Sequence, residues 1–86
     1  MSITELTFGE LATLMKQSAG VTVDPSVLQN TPDTPFSTLG VDSLGLLGIV
    51  GELENRHGVA LPPDAERSKT PADFLTLVNS TLKTGV

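Results

Sequence analysis

The chain has no cysteine, no tryptophan and no tyrosine, one histidine and three phenylalanines. Without cysteine there is no disulfide, no thiolate metal site and no thiol nucleophile. One histidine alone argues against a histidine-based metal site, so neither a metal site nor a catalytic residue is expected. Basic residues are also scarce: five Lys and Arg stand against ten Asp and Glu, for a net charge of −5 and a pI near 4.5. That balance argues against nucleic acid, whose phosphates call for basic patches and stacking aromatics, and against an anionic membrane surface. A partner with a basic docking face is its electrostatic complement. No run approaches the ~18 consecutive apolar residues that a membrane span needs. Residues 1–8 carry Glu5 and lack a basic region followed by an apolar run, so no signal peptide is expected and the cytoplasm is the expected location.

What is present is 86 residues with 38% apolar and 17% charged composition, the profile of one small globular domain. A chain this poor in reactive groups is expected to bind or carry something and to act as a monomer without catalysing a reaction alone.

Helical signals dominate. Thr7-Phe8-Gly9-Glu10 fits a capping box, and Phe8, Leu11, Ala12 and Met15 follow on one face with Leu14 at its border. A first helix is predicted over about 7–19, closed by Gly20. Residues 20–42 hold Pro25, Pro32 and Pro35 and read as a long ordered loop, with one short turn near 26–29. Val21, Val23, Val27, Leu28, Phe36 and Leu39 are available to pin that loop to a core. A second helix is predicted over about 43–57, with Gly58 at its end. A short third helix follows over about 63–68, and a fourth over about 71–83, capped by Thr70 and carrying Phe74, Leu75, Val78 and Leu82 inward. Nothing reads as a strand. The expected fold is all-α, a bundle of three main helices plus one short one.

The second helix carries the most information. At 100° per residue from Ser43, the residues Leu46, Ile49, Val50, Leu53 and His57 fall between about 240° and 340°, one core-facing stripe. Leu44, Leu47 and Gly51 form a second apolar patch between about 40° and 100°, which leaves Gly45, Glu52 and Arg56 on the solvated side. The extra patch either packs under the long loop or the short third helix, or forms a docking surface for partners. Gly45, Gly48 and Gly51 each cost about 0.5–1 kcal/mol relative to Ala. They serve a close backbone approach, or a softer helix, or nothing.

Ser43 opens this helix, and its position alone suits an N-cap. Serine catalysis is excluded: His57 lies about 21 Å away along the same helix, against the ~3 Å that a Ser–His hydrogen bond requires. A serine at a loop-to-helix junction, on a protein with no base to activate it, describes a modification site for another enzyme.

The string Leu39-Gly40-Val41-Asp42-Ser43-Leu44 resembles the phosphopantetheine-attachment motif of the acyl carrier proteins. Residues 6–20, 53–62 and 70–79 extend the likeness over most of the chain. Within the superfamily it looks most like the discrete carriers of type II (aromatic) polyketide synthases. The resemblance implies that Ser43, flanked by Asp42 and Leu44, receives 4′-phosphopantetheine from coenzyme A through a separate transferase. Polyketide intermediates of the antibiotic or pigment type would then ride on the arm as thioesters. It implies docking through Leu44, Leu47, Gly51, Glu52 and Glu54, with Asp42 a further charged contact. The implied partners are the phosphopantetheinyl transferase, a ketosynthase/chain-length-factor pair, a malonyl acyltransferase, and a ketoreductase, cyclase or aromatase. Gly48 and Asn55 stand where fatty-acid carriers usually have carboxylates, which leans toward polyketides. A peptidyl or aminoacyl carrier, a fatty-acid carrier, and a small helical adaptor with no prosthetic group are the competing readings.

Overall fold

Five α-helices and one 3-10 turn account for the regular structure of residues 5–84, the part of the chain described by this computed structural model. No strand occurs among the described residues, and no helix there is long and apolar enough to cross a membrane. Half of the 1–8 stretch that bears on a signal peptide, residues 1–4, lies outside the described residues.

Helix α1 runs Phe8–Ala19. Thr7 caps it, its hydroxyl accepting from the Glu10 amide at 3.1 Å, as the capping box predicts. Gly20 ends it at φ 70, a left-handed turn that only glycine adopts without strain, and the Gly20 and Val21 amides both return to the Met15 carbonyl. Leu11, Ala12, Leu14 and Met15 are buried, so Leu14 belongs to the core and not to its border.

The connection at 20–42 is more structured than a loop with one turn. It holds α2, Pro25–Asn30, and α3, Phe36–Leu39. Asp24 caps α2 by accepting from the Ser26 amide and hydroxyl, and Pro25 supplies the fixed φ of a first turn. The Ser26 hydroxyl, and then its amide, hold the Asp24 carboxyl below its usual range. Two backbone bonds tie the connection to the last helix: the Phe36 amide to the Lys69 carbonyl at 2.8 Å, and the Ala72 amide to the Pro32 carbonyl at 2.9 Å. Phe36 also meets Phe74 edge-to-face, ring centroids 5.9 Å apart. Leu28 and Phe36 are buried, and Val21, Val23 and Leu39 pack against the core. Val27 does not: a six-residue helix turns one side inward, and with Leu28 there Val27 is left 45% exposed.

Helix α4, Ser43–His57, carries Leu46, Ile49, Val50 and Leu53 into the core. The 3-10 turn Pro63–Arg67 follows, anchored by the fully buried Ala65. Helix α5, Pro71–Thr84, starts with the Asp73 amide donating to the Thr70 hydroxyl. Phe74, Val78 and Leu82 are buried, and Leu75 is half-buried. The Asn79 carboxamide accepts from the Leu6 amide and donates to the Leu6 carbonyl, fastening the chain before α1 to α5. His57 ends α4 half-buried, and its Nε2 is buried with no hydrogen-bond partner among the described residues.

Helices α1 and α4 pack closely, and two of the three α4 glycines explain how. A Cβ built on Gly45 meets Ala19 Cβ at 3.0 Å, and one on Gly48 meets the Ser18 carbonyl oxygen at 3.2 Å. The side of α4 read as solvated is therefore the side against the end of α1, where Arg56 also reaches Gln17 at 2.9 Å. A Cβ built on Gly51 meets nothing within 4 Å outside its own helix backbone. Gly51→Ala should thus raise the melting temperature by about 4 °C, the gain in helix propensity on a domain of this size. Gly45→Ala should lower it, because the Ala19 Cβ is fixed to the backbone and cannot rotate away. Thermal unfolding followed by circular dichroism checks both signs.

Candidate functional site

Each residue of the 39–44 string has a local physical task. Leu39 packs against the core at the end of α3. Gly40 adopts φ 93, a left-handed turn that stops α3 and redirects the chain within one residue. The Val41 amide returns to the Phe36 carbonyl at 2.9 Å, and its side chain is buried, which fixes the new direction. Asp42 caps α4, its carboxylate accepting from the Gly45 amide at 2.7 Å. The cap is Asp42 and not Ser43. Ser43 is the first residue of α4, exposed, and its hydroxyl has no hydrogen-bond partner among the described residues.

Ser43 opens on a cavity of about 530 Å³ between α3, the start of α4 and the segment leading to α5. Buried Phe36, Val41 and Leu46 form its apolar wall. Glu66, Arg67, Ser68 and Lys69 add a polar part to its lining. The single histidine lies at the far end of one unbroken 15-residue helix, so no imidazole reaches Ser43 to form a Ser–His pair. No cluster of His, Asp and Glu among the described residues could hold a metal ion. An accessible hydroxyl, unclaimed by capping and beside an amphipathic cavity, fits a covalently attached, flexible, partly apolar group. The chain has nothing to attach it with.

The second apolar patch of α4 is exposed. Leu44 is 74% and Leu47 45% exposed, and Gly51 shares their face. Neither the connection nor the 3-10 turn covers them. The two carboxylates grouped with this patch are engaged inside the molecule. Glu52 pairs with Arg56 at 2.9 Å on the α1 side, and Glu54 accepts from the Leu61 amide at 2.8 Å. Glu54 thereby satisfies a partly buried backbone donor in the link after α4 and is a poor candidate for an electrostatic contact with a partner. Sequence reasoning missed Arg67 and Lys69, which line the cavity. Their sole signal was the rarity of cations in the chain.

The chain matches the family model described as a phosphopantetheine attachment site over residues 10–78. A probable acyl carrier protein of Streptomyces coelicolor is 62% identical over 82 residues, 95% of this chain and 91% of the relative. The curamycin polyketide synthase acyl carrier protein of Streptomyces cyaneus is 53% identical over 83 residues, 96% of this chain and 94% of its own length. Among solved structures, the actinorhodin holo acyl carrier protein from S. coelicolor superposes with a TM-score of 0.79 at 35% identity, covering 100% of both chains. The fold is that of a phosphopantetheine-bearing carrier. The chain belongs to the acyl carrier proteins, and it is a carrier, not a catalyst.

Glu54→Ala should cost about 1–2 kcal/mol by leaving the Leu61 amide unpaired. Urea unfolding measures this, and transfer of the arm to the variant should proceed as in the wild type.

Proposed function

We propose that Ser43 is the attachment residue for 4′-phosphopantetheine and that this carrier serves a polyketide synthase of the type II kind. The observation that carries the reading is the division of roles at the start of α4. Asp42 takes the capping bond, which leaves the adjacent Ser43 hydroxyl exposed and unbonded beside the cavity. When attached, the arm supplies the thiol that the chain lacks, and acyl groups ride on it as thioesters. The chain's own residues do the rest. Gly40 and Asp42 set the position of Ser43, and the wall of Phe36, Val41 and Leu46 offers apolar shelter beside it. The relatives' polyketide synthase names support the cargo class.

The partners in this reading are a phosphopantetheinyl transferase, a ketosynthase/chain-length-factor pair, a malonyl acyltransferase, and a ketoreductase, cyclase or aromatase. They meet the face of Leu44, Leu47 and Gly51, two exposed leucines with a gap beside them. We place the carrier in the cytoplasm, where coenzyme A, the donor of the arm, is available.

Incubation with coenzyme A and a promiscuous transferase, followed by intact-mass measurement, should show a gain of one phosphopantetheine. Ser43→Ala should abolish the gain without loss of helicity. No gain on the wild-type chain would leave a helical adaptor without a prosthetic group. Leu47→Glu should keep the circular dichroism spectrum, because the residue is exposed, and weaken ketosynthase capture of the loaded carrier about tenfold, the equivalent of ~1.4 kcal/mol. A collapse of helicity instead would make Leu47 a core residue.

A further inference from the structure

We infer that Arg67 and Lys69 clasp the phosphodiester joining the arm to Ser43 and so set the direction in which the arm leaves the protein. The inference rests on Ser43 being the attachment residue. The chain has five basic residues. Arg56 is paired with Glu52 and Lys83 with Glu5. Arg67 and Lys69 have no ion-pair partner among the described residues, and both line the cavity that Ser43 opens on. Two of five cations therefore line, without an ion-pair partner, the cavity that also holds Ser43, in a chain with a net charge of −5.

Their backbone is held while their side chains are free. The Lys69 carbonyl accepts from the Phe36 amide at 2.8 Å, which fixes residue 69 against α3. Arg67 ends the 3-10 turn anchored by buried Ala65. Both side chains are exposed, and their flexible stems let the charged heads follow an anion at the rim. Two carboxylates share this cavity: Asp42, whose Oδ1 is occupied by the Gly45 amide, and Glu66, which is paired with neither cation. A phosphodiester on Ser43 carries one negative charge, and the two cations are the complementary groups facing it. With the phosphate held at the rim, the apolar part of the arm lies over Phe36, Val41 and Leu46 and does not cross Leu44 and Leu47. The docking face stays clear on the resting, loaded carrier.

The test compares apo and enzymatically loaded full-length chain, with loading verified by intact mass. A further negative charge on an acidic protein should by itself lower stability at low salt. The clasp reverses that sign. At low ionic strength the loaded form should melt about 3 °C above the apo form, and the gain should vanish near 1 M NaCl, where the screening length falls to about 3 Å. The double variant Arg67→Gln/Lys69→Gln should lose the gain while its circular dichroism spectrum stays that of the wild type. The amide resonances of residues 67–69 should move on loading of the wild type, and the 31P resonance of the arm should differ between the loaded wild type and the loaded double variant. A loaded form that melts no higher than apo at low salt, a gain that ignores salt, or one that survives in the double variant overturns the clasp. The wild-type salt series decides the matter even if the transferase rejects the variant. Absence of the mass gain on the wild-type chain defeats the attachment reading instead, so the two failures are distinguishable.

Discussion

The hydrogen bond from the Gly45 amide to the Asp42 carboxylate decides where α4 begins, and the site follows from that start. A helix leaves its first amides without partners, and one side chain at the junction must take the capping role. Had Ser43 taken it, the hydroxyl would be turned into the backbone and poorly available to another enzyme. With Asp42 in that place, Ser43 enters the first turn with its oxygen free. The arrangement needs the chain to arrive at Asp42 in an extended conformation straight from the end of α3. Gly40, at φ 93, makes that change of direction without strain. Burial of Val41 keeps it from fluctuating. In the proposed reading, residues 40–43 are thus a stop, a lock, a cap and a free hydroxyl in consecutive positions.

Helix α4 serves three neighbours with three faces, and its unusual glycines belong to two of them. One face, Leu46, Ile49, Val50 and Leu53, fills the core. A second has Gly45 and Gly48 in place of side chains, and the end of α1 comes closer than any Cβ would comfortably allow. The third carries Leu44, Leu47 and Gly51 and is left uncovered. Close packing on α1 replaces the helix propensity lost at Gly45 and Gly48. Nothing within the molecule compensates for Gly51. That sacrifice of stability falls on the uncovered face, the one proposed for docking.

The sequence made much of this legible because its strongest signals are local. Thr7 with Glu10, Thr70 with Pro71, and glycines at 20 and 58 mark the ends of α1, α4 and α5 through backbone chemistry that acts over three or four residues. The stripe of Leu46, Ile49, Val50 and Leu53 could be read because a 15-residue helix repeats its period several times. Helices α2 and α3, of six and four residues, repeat it barely or not at all. The connection that holds them is tied down by bonds from Phe36 to Lys69, just before α5, and from Ala72 in α5 to Pro32, contacts invisible along the chain. Contacts made only by the folded chain also hid the roles of Glu54 and of the Gly45 side of α4. Glu54 resembled a surface charge until Leu61 was brought to it. Arg67 and Lys69 stayed unremarked because proximity to Ser43 is a property of the fold.

A carrier has to be stable without being closed, and the distribution of polar groups shows how this domain meets both demands. Its buried side chains are apolar, with no buried polar or charged residue among those described. Internal polar contacts fasten helix starts and the links between helices: Asp42 on Gly45, Glu54 on Leu61, Asn79 on Leu6. Stability therefore rests on a continuous core and on fastened helix ends, and the surface around Ser43 is released from structural duty. That release is what lets a hydroxyl, two leucines and two cations remain unbonded in a protein of 86 residues. In the proposed reading each is available for something that arrives from outside: the arm, the partner face, the phosphate. A tethered acyl group needs no catalytic residue on its carrier, because attachment alone raises its effective concentration at each docked partner. The scarcity of reactive side chains then has a chemical use, since a carrier that holds thioesters gains from having no cysteine to attack them.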